Sequence, residues 1–109
     1  MRKIALALGL CFSFLSSSVM AGTQTGEVNQ IIVRGKDGLT YFYLTGTANA
    51  RPACATNRYW IIKDENSAVA QKQLALLIAA KAAGQPVTVG GLDTCTRWSD
   101  GEDVNYVIF

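Results

Sequence analysis

The chain of 109 residues contains no histidine. That removes the commonest general base and the commonest metal ligand. It also deprives a serine or cysteine nucleophile of its usual partner. Cysteine is scarce, at positions 11, 54 and 95 only, and no two form a Cys-x-x-Cys pair. Two thiolates without further ligands do not make a zinc site, so no metal or cofactor is expected. No catalytic residue is assigned. Asp100, Glu102 and Asp103 cluster, and a carboxylate pair suffices for glycoside hydrolysis. They are read here as a solvated loop beside Trp98. Gly90-Gly91 and Gly35-x-x-Gly38 are turns, because neither lies between a strand and a helix N-terminus as a phosphate loop does. No apolar run reaches the roughly 20 residues needed to cross a bilayer.

What is present begins with a leader. Met1-Arg2-Lys3 is a short positive segment, and an apolar run from Ile4 to Leu15 follows. Ser16 to Ser18 lead into Val19-Met20-Ala21, whose residues at 19 and 21 fit signal peptidase, so residues 1–21 read as a signal peptide cleaved after Ala21. Leu10 is too large for a lipoprotein cleavage box at Cys11, which leaves with the leader. The domain is then Gly22 to Phe109, exported to the periplasm or beyond, with no membrane insertion after cleavage. Losing Arg2 and Lys3 brings ten basic residues down to eight, matching the eight acidic ones. A neutral domain lacks the basic face that phosphate neutralisation needs, so nucleic acid is not an expected partner. The even pair that remains, Cys54 and Cys95, reads as a disulfide in an exported chain of this size.

Five strands and one helix are predicted. Val28, Ile31, Ile32 and Val33 place a β-branched strand over Glu27–Arg34, after a polar start at Thr23–Gly26. Its alternation is imperfect, which points to a bulge or to cover on both faces. Asp37-Gly38 turns the chain. In Leu39–Thr45, Leu39, Tyr41, Tyr43 and Thr45 share one face, and Thr40, Phe42 and Leu44 the other. A long irregular loop runs from Gly46 to Thr56. Asn57–Lys63 is the third strand. Ser67–Ala83 is the helix, capped by Asn66 or Asp64 and ended at Gly84-x-Pro86. Its apolar stripe is Ala70, Leu74, Leu77, Ile78 and Ala80. Val87–Gly90 is the fourth strand. Glu102–Phe109 is the fifth, with Val104, Tyr106 and Ile108 on one face.

The fold class is therefore mostly β with one helix, in the order β-β-β-α-β-β. That is the connectivity of the OB-fold, a five-stranded barrel, here closed by one disulfide. An open α+β sheet is the rival arrangement. Edge control favours the barrel, since the strands carry few inward charges or prolines to guard an edge.

The second half of the chain carries a resemblance. Leu76-Leu-Ile-Ala-Ala-Lys-Ala-Ala-Gly84, then Pro86-Val-Thr-Val-Gly90, then Cys95-Thr-Arg-Trp98-Ser-Asp100-Gly-Glu102 and a closing Tyr106-Val-Ile-Phe109 resemble the small exported proteins grouped with the subtilase-cytotoxin B subunit. The likeness extends over the mature chain, with Cys54 matching the upstream half of the bridge. Its most specific part is Cys-x-x-Trp-x-Asp-x-Glu. The resemblance implies an OB-fold, a homo-oligomeric ring of five, and a glycan or glycoconjugate as ligand. No glycan-contacting residue of the toxin subunits maps onto a motif here.

Independently of that likeness, the outer faces of strands two and three are the usual ligand surface of an OB-fold. Tyr41, Tyr43 and Tyr59 are expected to face outward there and to stack on a ligand, while Phe42 and Trp60 are expected in the core. Trp98 is the fourth candidate. Its alternative role is to pack over the disulfide, with Arg97 and Glu102 fixing the loop. The expected function is a non-enzymatic exported binding module. The alternative is a periplasmic structural or protein-interaction domain that docks or oligomerises through a strand edge.

Overall fold

The computed structural model describes residues 21–109. The predicted leader and Cys11 lie outside the described residues, apart from Ala21. Five strands form a closed barrel in the order β1-β2-β3-β5-β4: β1 Thr23–Val33, β2 Thr40–Leu44, β3 Trp60–Ile61, β4 Pro86–Gly91 and β5 Glu102–Ile108. The helix α1, Ala68–Ala83, falls between β3 and β4. All neighbouring pairs are antiparallel except β3 with β5, which is parallel. This is the OB-fold arrangement. The barrel closes entirely within residues 23–108, and every core side chain of the described residues belongs to that segment.

The strand β1 is longer than predicted and does two jobs. Thr23–Glu27 pairs with β4, and Val28–Val33 pairs with β2. The expected polar start is thus half of a strand. Polar residues form it because backbone pairing with β4, not an apolar face, holds it there. The register shifts between Val28 and Gln30, so Asn29 is the bulge that the broken alternation predicted. A Cβ on Gly26 would collide with the Thr45 backbone, so the passage of β1 from one partner to the other needs a residue without a side chain. The hairpin to β2 turns at Gly38, whose φ of 78° is left-handed, and the Gly38 amide donates to the Arg34 carbonyl.

In β2 the predicted faces hold from Thr40 to Leu44, but Leu39, expected on the face of the tyrosines, precedes the strand and is buried. Thr40, Phe42 and Leu44 are buried, while Tyr41 and Tyr43 are half-buried on the outside. The third strand is much shorter than the predicted Asn57–Lys63. Only Trp60 and Ile61 pair, and Ile62 adds one backbone bond to Thr40. Trp60 is fully buried, as expected, and its indole N–H donates to Gln24 Oε1 at 2.8 Å. Gln24 Nε2 in turn donates to the carbonyls of Thr45 and Gly46, each at 3.2 Å.

Ser67 is the N-cap, with its hydroxyl accepting from the Ala70 amide at 3.0 Å, in place of the predicted Asn66 or Asp64. The Asp64 carbonyl instead receives the Ser67 hydroxyl. Gly84 ends the helix in the left-handed conformation, as predicted. The buried stripe is Ala70, Leu77 and Ala80. Ile78, expected in it, is 54% exposed. The helix meets the barrel through a seam too narrow to cover its neighbouring positions.

In β5 the alternation is interrupted. Gly90 pairs with Tyr106 and Gly91 with Val104, which leaves Asn105 as a bulge. The inward position therefore moves from Val104 to Val107, and Tyr106 and Ile108 turn outward instead of sharing a face with Val104.

Cys54 and Cys95 are bonded. The bridge joins the long loop after β2 to the loop before β5 across a sequence separation of 41. Chain entropy assigns such a cross-link about 4 kcal/mol. The variant Cys54→Ser/Cys95→Ser should lose about 2–4 kcal/mol in urea unfolding followed by far-UV circular dichroism. An unchanged midpoint would show that the loops are held by other contacts.

Candidate functional site

The four predicted residues come together on the outside of the barrel. Tyr41 and Tyr43 project from β2 by the two-residue period of a strand. Tyr59 reaches them from the residue before β3. Its ring lies 5.2 Å from Tyr41 and 5.8 Å from Tyr43, and the two β2 rings are 6.4 Å apart. The edge-to-face and tilted geometries are those that aromatic quadrupoles favour. Gly101 makes this possible, because a Cβ there would lie 2.6 Å from the Tyr59 ring.

Trp98 joins from the loop before β5 and is 37% exposed. Its ring carries the Arg34 guanidinium at 4.4 Å, a cation–π contact. Trp98 also lies near the Tyr59 phenol and favours its ionisation slightly. Arg34 pairs with Asp37, and the hydrogen bond from the guanidinium holds the Asp37 carboxyl well below the usual carboxylate range.

The Tyr59 hydroxyl donates to Asp100, and Asn57 Nδ2 donates to the other oxygen of that carboxylate at 2.6 Å. Burial, then the Asp100 hydrogen bond and charge, push the Tyr59 phenol up to about 12. Arg97 donates to both oxygens of Glu65, at 3.1 and 2.9 Å, and to the Asp37 carbonyl at 3.2 Å. Tyr43 also lines a cleft of about 200 Å3, shared with Asn29, Thr47, Arg51 and Arg58. Arg58 is exposed and has no ion-pair partner among the described residues.

The predicted solvated acidic loop is corrected. Asp100 is half-buried at the site, but Glu102 and Asp103 are both fully buried. They open β5, where β3 pairs along one edge through Trp60 and Ile61, and the loop after β4 lies along the other, with Leu92 and Thr94 bonded to the Asp103 backbone. Asp103 Oδ2 accepts from the Thr94 hydroxyl at 2.6 Å, the Thr96 amide at 2.9 Å and the Thr96 hydroxyl at 2.7 Å. Burial opposes its ionisation, but these hydrogen bonds outweigh it and hold the carboxyl below its ordinary value. Asp103, not Glu102, thus fixes the disulfide-bearing loop, and Arg97 is engaged with Glu65.

Among the described residues, no group of three or more cysteine and carboxylate side chains is placed to hold a metal. None of their helices is long and apolar enough to cross a membrane. The site and barrel together define a disulfide-bonded OB-fold with an aromatic outer face. No family model, curated protein or solved structure matches the chain.

The Tyr59–Asp100 bond makes a pH prediction. A folded phenol near 12 against an unfolded one of about 10 stabilises the fold fully below pH 10. That contribution is lost as pH rises from 10 through 12, because the unfolded chain releases the proton first. In an ultraviolet titration of tyrosinate, Asp100→Asn should bring the latest-ionising phenol down toward its ordinary value. An unmoved titration curve would remove Asp100 as a cause of the shift.

Proposed function

We propose that the protein is an exported, non-enzymatic binding module that holds a glycan on its aromatic outer face. The observation that carries this reading is the packing of Tyr41, Tyr43 and Tyr59 against one another beside a half-exposed Trp98. Sugars present apolar C–H faces that stack on aromatic rings and hydroxyls that need fixed polar partners. Asn57, Asp100 and Arg34 supply such partners at the rim, and Arg58 stands over the adjoining cleft. The equal count of basic and acidic residues from Gly22 onward favours a sugar over a polyanion. The leader-like N-terminus and the disulfide support export. The resemblance to toxin B subunits at Cys95–Glu102 favours the same ligand class.

A second reading has its own observation. Ile108 and Phe109 are each more than half exposed at the end of β5, with Tyr106 beside them. Apolar groups there suit a subunit or partner contact, as in a periplasmic adaptor or a ring of five.

Immobilised neutral and sialylated glycans separate the two. Wild-type protein should bind at least one class, and Trp98→Ala and Tyr43→Ala should each weaken it about tenfold or more while leaving the circular dichroism intact. A tenfold loss corresponds to about 1.4 kcal/mol of binding free energy. A folded protein that binds no glycan, but whose mass by light scattering is a multiple of the monomer, would favour the interaction domain.

A further inference from the structure

Glu102 is a buried carboxylate with an incomplete set of partners. Its side chain is fully buried at the start of β5. Oε2 accepts from the Gly22 nitrogen at 3.0 Å and from the Asp93 amide at 3.1 Å. Oε1 has no hydrogen-bond partner among the described residues. Arg51 Nε lies 3.9 Å from it, beyond hydrogen-bond distance, and is itself unpartnered. Arg51 Nη1 and Nη2 donate to the carbonyls of Asn57, at 2.5 Å, and Tyr59, at 2.8 Å, with the guanidinium 4.7 Å from the Trp60 ring centre. A carboxylate left in that state carries a desolvation cost that two amides and a distant guanidinium do not fully offset.

Two glycines enclose the carboxylate. A Cβ on Gly22 would strike Oε1, and a Cβ on Gly91 would strike Oε2. Gly22 is itself buried, and its carbonyl accepts from the Gly91 amide at 2.9 Å. The Gly22 nitrogen is therefore held in place by backbone bonding, with the unpartnered oxygen beside the place a Gly22 Cβ would take. Gly22 is also the residue that follows the predicted leader cleavage site.

We propose that cleavage after Ala21 makes the Gly22 α-ammonium the buried ion-pair partner of Glu102, so that only the processed chain completes the barrel's interior. This rests on the export reading, from which the cleavage site comes. Leader peptidase hydrolyses the Ala21–Gly22 bond before the domain folds. Water supplies the hydroxyl that leaves on the Ala21 carboxylate, and the Gly22 nitrogen takes protons to become an ammonium. An amide nitrogen has one hydrogen to give; the ammonium has three, enough for Oε2 and the neglected Oε1. A positive charge also replaces a neutral dipole 3.0 Å from the carboxylate.

The groups facing Glu102 are Arg51, from the long loop, and Asp93, from the loop after β4. In the unprocessed chain, burial raises the Glu102 carboxyl above its ordinary value. The new ammonium opposes that and is itself held above the usual α-amine value of about 8. Its stabilisation is therefore complete below about pH 8 and is lost as pH rises through the folded-state value.

The full chain is expressed with its own leader, and the N-terminus of the exported product is read from its intact mass. In parallel, two chains are made that begin at Gly22 and at Ala21, each with Glu102 and with Glu102→Gln. The barrel lies wholly within both. The product should begin at Gly22. At pH 7 the Gly22-start chain should melt about 5 °C or more above the Ala21-start chain, a difference that fades in alkali and in the Glu102→Gln pair. The Gly22 amine should also react with a methylating reagent about tenfold or more slowly than the Ala21 amine, as a one-unit rise in its pKa requires. This second readout needs no variant to fold. An exported product with another N-terminus would overturn the processing step. A Gly22-start chain with no gain, or a gain that survives Glu102→Gln, would overturn the ion pair while leaving export standing.

Discussion

A strand of two residues closes this barrel, and most of the molecule is arranged around keeping it in place. Trp60 and Ile61 must pair with β2 on one side and with β5 on the other. Two residues of ladder are too few to hold a chain by backbone bonds alone. Trp60 supplies the rest: its indole is fully buried in the core cluster, and its N–H is fixed by Gln24. Gln24 sits on the far half of β1, so this one side chain ties β3 to the strand that begins the barrel. The Arg51 guanidinium lies against the same indole. The OB-fold here is thus a barrel whose weakest seam is held by its largest core residue.

The seam also sorts the chemistry onto two sides. Trp60 pairs with Glu102 and Ile61 with Asp103, and that register draws both carboxylates into the interior. The residue before the strand, Tyr59, is left outside, over Gly101, and completes the tyrosine cluster. The outer aromatic face and the buried acidic pair are therefore consequences of one parallel pairing. Any change in register would move them together.

Much of this is legible in the sequence, and the parts that are not share a cause. The two faces of β2 follow from strict alternation, and the helix stop follows from Gly84 before Pro86. The disulfide followed from cysteine number and the predicted compartment. Tyr41, Tyr43, Tyr59 and Trp98 are visible in the sequence as aromatics on or near short strands, and the structure brings them to one outer face. The polar half of β1 was missed because Thr-Gln-Thr-Gly has no apolar period; its place is set by backbone pairing to β4. Glu102 and Asp103 were missed because Asp-Gly-Glu-Asp looks like a solvated turn. Only its contacts with β3 and with the loop after β4 make it an interior segment. The bulge at Asn105 inverted the later faces of β5, and no residue pattern marks it. Asn57 and Asp100, which fix Tyr59, and Arg34, which lies over Trp98, come from three separate loops or strand ends. No spacing in the chain links them.

The adjacent carboxylates Glu102 and Asp103 show how little a residue type says about its role. Both are fully buried, and both face the same desolvation. Asp103 meets a set of hydroxyls and amides from Thr94, Thr96 and Arg97, enough to keep it ionised. Glu102 meets two amides and an arginine already bound elsewhere. The first is a finished structural element that anchors a loop. The second has an oxygen in excess of its donors, in a chamber whose glycine walls admit no side chain. A chain that needed only an apolar filler there had valine or leucine available, at less cost than a charge. Arg51 stands too far off to bond the spare oxygen, so the carboxylate makes physical sense if a second cation reaches it in the finished protein; among the described residues, the nitrogen already in contact that can acquire a charge is that of Gly22.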